Sequence, residues 1–148
     1  MSDAFLRLIA IDPGFVPSPA SQLAAAALLR EWLPDAQEVT VRVTDHVEFV
    51  DQGEDFERVS CGQCGIGFDD WSAAMTRAAE RDFQDLSLVM PCCGTSMSLN
   101  DLVYELPAGF ARFVLEATNP EVEDLSAEQL DAVSAVLGSP IRRIWAHY

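Results

Sequence analysis

The clearest pattern along the chain lies at residues 39–49, where Val39, Val41, Val43, Val47 and Phe49 take odd positions and Thr40, Arg42, Thr44, His46 and Glu48 take even ones. A two-residue period predicts a long strand with one buried face. Upstream, the largely apolar run at 5–11 ends in Asp12-Pro13-Gly14, which predicts a buried first strand and a turn. Ser18-Pro19 then supplies an N-cap and a proline at the first helical position. Ala25, Leu28, Leu29 and Trp32 follow at helical spacing until Pro34, so an amphipathic helix is expected there.

Turn chemistry at 51–55 and the return arm at 56–60 predict a hairpin that delivers Cys61. Asp69 or Asp70 can cap a helix over 70–81 whose core face holds Trp71, Ala74, Met75 and Ala78, and a buried strand at 86–90 delivers Cys92 and Cys93. Over residues 5–90 this order resembles the βαββαβ of ferredoxin-like folds. Beyond it come a polar turn at 95–98, a short strand at 103–106, an alternating strand at 111–117 stopped by Asn119-Pro120, and a last strand at 141–148. Between those last two strands, Ser126 with Gln129 forms a capping box, Leu125 staples onto Leu130, and Gly138 with Pro140 ends the helix. The fold expected is α+β: a mixed sheet with helices over one face and a C-terminal βαβ extension, forming one domain over 1–148.

Charge narrows the partners. The 148 residues carry a formal net charge of −15, and all nine basic residues are arginine. That balance repels phosphate backbones and anionic membranes, so nucleic acid is excluded and a basic protein is the expected partner, unless the charge serves solubility alone. Arg142-Arg143 is too short a basic patch to change this. No run reaches the roughly 18 apolar residues of a membrane helix, and the Met1-Ser2-Asp3 start lacks signal-peptide features, so a cytoplasmic protein is expected. Abundant alanine with arginine in place of lysine is associated with GC-rich bacterial genomes.

The most specific feature is chemical. All four cysteines fall in two clusters, Cys61-Gly62-Gln63-Cys64-Gly65 and Pro91-Cys92-Cys93-Gly94. A strand, helix, strand crossover would leave the strands before the two clusters parallel, with both clusters at one sheet edge and a single strand between them. Loops past those strand ends could then share one ion, and thiolates backed by Cys-Gly turns suit tetrahedral Zn²⁺. Cys61, Cys64, Cys92 and Cys93 are therefore the candidate metal ligands, in a zinc-knuckle insert at 61–94. Here the chain resembles the zinc-ribbon and zinc-knuckle families, in which paired CPxCG turns supply four cysteines. The second cluster departs from that pattern: Met90 stands where the first cysteine would be, and Cys92 adjoins Cys93.

Other readings of the thiols remain open at this stage. His46 and His147 are candidate fourth ligands, although both suit surface positions. Iron and sulfur could use the same cysteines, and Cys92-Cys93-Gly94 also resembles the CCG domain of heterodisulfide-reductase-like proteins. A redox dithiol would place Cys61 and Cys64 at a helix start, where Asp69 and Asp70 would oppose thiolate formation. The functional expectation is a small zinc-binding protein with a structural four-cysteine site, acting through protein contacts, in the manner of an acidic, immunity-like partner of a basic protein. The alternative is a thiol-dependent redox enzyme or metal-dependent hydrolase.

Overall fold

The computed structural model describes residues 3–51 and 58–147. Four strands build the main sheet: β1 (Ala4–Ala10), β2 (Glu38–Val50), β7 (Gly109–Thr118) and β8 (Ile141–His147), in the order β2-β7-β1-β8 with every pairing antiparallel. Helix α1 (Pro19–Trp32) links β1 to β2, and α3 (Ala127–Leu137) links β7 to β8. Because β1 and β2 both oppose β7, they run the same way with β7 between them. β7 and β8 likewise flank β1. Each helix is thus a crossover between strands of one direction, the connection a helix is long enough to make.

Sequence periodicity accounts for the packing. Alternate residues Leu6 and Leu8 of β1, with Phe113, Leu115 and Ala117 of β7, point to one face. There they meet Ala25, Ala26 and Leu29 of α1 and Val133 and Leu137 of α3. The caps form as the sequence predicts. Ser18 Oγ accepts from Ser21 N–H, Ser126 and Gln129 complete a capping box, and Gly138 ends α3 in the left-handed conformation. Leu125 and Leu130 join the same core. The opposite face holds a smaller cluster of Ile9, Val50, Ala111, Val114 and Ile144.

Between β2 and β7 lies an insert that carries the cysteines. It contains β3 (Val59–Ser60), α2 (Trp71–Ala79), β4 (Ser87–Val89), β5 (Ser96–Ser98), a 3₁₀ turn (Leu99–Asp101) and β6 (Val103–Tyr104). β3 pairs with β6 and β4 with β5, each as a separate two-stranded ladder. The insert has its own core of Phe68, Ala74, Ala78, Met90, Leu99 and Tyr104, into which the frame sends Phe110 of β7 and Phe49 of β2. Those two rings lie 5.1 Å apart. The register of β2 shifts between Val43 and Glu48, a bulge that re-aims the strand before it reaches the insert.

Several expectations are corrected. The main sheet is antiparallel rather than mixed. The βαββαβ order assigned to residues 5–90 fails there, because β3 and β4 leave the sheet and pair elsewhere. The two cysteine-bearing strands are therefore not parallel neighbours in one sheet with a strand between them. The region expected as a polar turn at 95–98 contains β5, the strand expected at 103–106 shortens to β6, and Asp70 sits at the N-cap of α2 without a side-chain cap bond. Most of the turn expected at 51–55, the start of the return arm at 56–60, and Tyr148 lie outside the described residues.

Candidate metal centre

Two tight turns of the insert converge. In the first, Gly65 N–H donates to Cys61 O at 3.0 Å and Cys61 N–H donates to Ile66 O at 2.8 Å. In the second, Gly94 N–H donates to Met90 O at 2.8 Å and Met90 N–H donates to Thr95 O at 2.9 Å. The pattern is the same, residue for residue, with Met90 in the place of Cys61 and Cys93 in the place of Cys64. Gly65 and Gly94 stand at φ +78° and +70°, a left-handed conformation that strains any residue with a Cβ.

That equivalence explains the adjacent cysteines. Met90 is fully buried in the insert core, so the position that begins the first turn with a thiol here fills a hydrophobic gap. Cys92, standing where Gln63 stands in the first turn, supplies the missing sulfur. β4 has ended at Val89, so Cys92 and Cys93 are not held to opposite faces of a strand.

The four sulfur atoms all lie within 4.8 Å of one another and could hold a metal ion. Cys61 Sγ is 3.8 Å from Cys93 Sγ, and Cys64 Sγ is 3.2 Å from Cys92 Sγ. A tetrahedral zinc with bonds of about 2.3 Å needs sulfur separations of roughly 3.8 Å. The donor set suits such an ion in number and type, and its sulfur separations bracket that value. Cys61 is buried, and the other three are exposed at the rim.

The electrostatics of the bare thiols point the same way. The Cys64 backbone N–H, followed by that of Gln63, lowers the Cys61 pKa to about 7 against the opposing effect of burial. Cys92 is pushed up to about 12, first by its hydrogen bond with Cys64, then by burial and the neighbouring sulfurs. Four thiolates this close repel one another, so one ionises at the expense of another unless a cation is shared. A divalent ion removes that conflict.

Neighbouring polar groups hold the turns. Gln63 N–H approaches Cys61 Sγ at 3.4 Å, and Cys93 Sγ lies 3.3 Å from Thr95 Oγ1. A Cβ on Gly62 would stand 2.5 Å from Asp101 O, so glycine is required where the first turn presses on the 3₁₀ turn. Ser98 Oγ accepts from Asn100 N–H and caps that turn, as its hydroxyl chemistry suggests. His46 and His147 are exposed and lie outside the cluster. α2 begins at Trp71, so neither Cys61 nor Cys64 occupies its first turn.

One part of the site escaped sequence reasoning. Asn100, buried, donates to Ile11 O at 2.9 Å and accepts from Phe110 N–H at 3.1 Å and from Arg142 at 3.0 Å. Arg142 also donates to Ala108 O at 2.9 Å. This junction ties the 3₁₀ turn behind the first knuckle to β8, and Arg142 is thus an internal strut rather than surface charge. No local pattern distinguishes a structural Asn-Asp pair from a turn, so the sequence carried no signal for it.

Comparison with models of known protein families, with curated proteins and with solved structures returns no match. The site is therefore defined by its geometry: four cysteines on two equivalent turns that could hold a metal ion. No helix among the described residues is long and apolar enough to cross a membrane.

Proposed function

We propose that the chain is a zinc-braced, acidic binding protein. Cys61, Cys64, Cys92 and Cys93 ligate one structural Zn²⁺, and the protein acts through contacts with a basic protein partner. The convergence of the four sulfurs within 4.8 Å carries the first half of this reading. The net charge of −15 supports the second. The frame, formed by β1, α1, β2, β7, α3 and β8, is a strand, helix, strand, strand, helix, strand unit whose sheet order is fourth, first, third, second, and we assign it as ferredoxin-like with the zinc-bearing insert between its second and third strands. Frame and insert act as one domain.

A site filled by four thiolates keeps no open position for water, which argues for bracing over catalysis. The thiol chemistry agrees. The four sulfurs crowd within 4.8 Å of one another, with Cys61 buried. A catalytic nucleophile is one accessible thiol set apart by its surroundings, whereas here four thiols converge as a ligand set.

Metal analysis combined with thiol titration of the native chain tests the reading. One zinc per chain with four thiols protected from alkylation until denaturation is expected. Metal-free protein with one fast-reacting thiol would favour the redox enzyme instead. For the partner, complexes that dissociate as salt rises are expected, since exposed charge attraction is screened within about 10 Å at 0.1 M salt. A tight partner indifferent to salt would contradict the acidic-surface half.

A further inference from the structure

We infer that the outer edge of β8 is a docking site for an extended, basic segment of another protein, which adds as a fifth strand to the main sheet. The inference rests on the acidic-partner reading above and assigns it a surface.

β8 is an edge strand. Among the described residues it pairs with β1 alone, in an unbroken register from Ala4↔His147 to Ala10↔Ile141. Ile11 N–H donates to Pro140 O at 3.0 Å, one step beyond that register. In an antiparallel ladder, residues of a hydrogen-bonded pair turn both backbone groups to the partner, and the residues between turn both away. Pro140 belongs to the first set, so Arg142, Ile144 and Ala146 face β1. The N–H and C=O groups of Ile141, Arg143, Trp145 and His147 consequently face outward, a template for another strand.

Those same four residues line two cavities, one at each end of the strand. Ile141 and Arg143 border a cavity of about 660 Å³ with Leu130, Val103 and Pro107. Trp145 and His147 border one of about 720 Å³ that runs from the end of β8 across Ala4 and Asn119 to Pro120 and Val122. Strand addition draws affinity from the main chain and specificity from pockets for alternate side chains, and β8 offers both.

Charge decides the occupant. Asp131 stands in the first cavity beside Arg142 and Arg143, and Glu121, Glu123 and Asp124 line the second. Arg143 pairs with Asp124 at 2.9 Å, and Arg142, held by Asn100 and Ala108, offsets Asp131, so the acidic surplus of Glu121 and Glu123 lies at the Trp145–His147 end of the strand. A basic segment meets complementary potential there, whereas a second copy of the chain would bring another −15. The other edge is a poorer template, because β2 is interrupted between Val43 and Glu48 and Arg30 already donates to Val39 O.

The test uses the whole metal-loaded chain and a capped hexapeptide alternating lysine and valine, with its glutamate counterpart as control, followed by backbone amide exchange. The lysine peptide is expected to slow exchange at Ile141, Arg143, Trp145 and His147 by at least about tenfold, and the glutamate peptide to leave them unchanged. Arg143→Pro, which removes an outward N–H and leaves the β1 ladder intact, should abolish the effect, and Arg143→Ala should keep it. Should the proline variant fail to fold, the wild-type exchange pattern alone decides. Absence of protection at these four amides, or equal protection by the glutamate peptide, overturns the inference. Binding of the lysine peptide elsewhere overturns the edge assignment yet leaves the acidic-partner reading standing.

Discussion

The frame and the insert are held by different means. In the frame, ladders of five to nine paired residues and a core shared by two helices hold the strands. In the insert, the ladders are two and three pairs long, the one helix covers nine residues, and two turns end on thiols. Ladders this short do not sustain themselves in water. A region with so little backbone pairing needs either a dense side-chain core or a cross-link, and the insert has an aromatic core on one side and the sulfur cluster on the other. Cooperativity resides in the sheet for the frame and, on the proposed reading, would reside in a shared ion for the insert.

Metal removal breaks that contrast most sharply. With a chelator, or with Cys64→Ser and Cys93→Ser together, amides of 59–68 and 87–98 should lose several kcal/mol of protection, within a ceiling on the order of 10 kcal/mol for zinc-dependent peptides. Amides of β1 and β7 should change little, and hydrogen exchange with and without metal reads both. Phe110→Ala should rank next, at about 3–5 kcal/mol by denaturant unfolding. Phe110 is fully buried and stacks near Phe49 and Phe83, so its loss strips the insert of its anchor on the frame.

Asn100→Ala attacks the junction. It leaves Phe110 N–H and part of the Arg142 guanidinium without their acceptor, at a cost of about 1–3 kcal/mol. Melting should then show frame and insert transitions separating. Ser126→Ala removes the N-cap of α3 and should cost about 1 kcal/mol in the frame alone, with metal content unchanged.

The sequence made the elements legible where local chemistry specifies them. The caps of α1 and α3, the apolar run of β1 and the last strand β8 stand in the structure, whereas the period of β2 breaks at its bulge, where Val43 is exposed. Strand partnership was not legible. Nothing in the periodicity of residues 51–108 marks them as an insertion, and a short strand such as Ser87–Val89 reads alike in a central sheet and in an isolated hairpin. Val89 is 64% exposed, which no buried strand would tolerate. The cysteine cluster survived the error in topology because a Cys-Gly turn is specified by neighbouring residues. The junction of Asn100, Gly109 and Arg142 stayed hidden because its partners are far apart in the chain; a Cβ on Gly109 would stand 2.8 Å from Ile9 Cδ1 and 2.9 Å from an Arg142 nitrogen.

The most direct test is X-ray absorption at the zinc edge on the native chain. Four sulfur scatterers at about 2.3 Å are expected. A first shell with fewer sulfurs completed by nitrogen or oxygen, or a chain that retains no zinc, would contradict the four-cysteine brace.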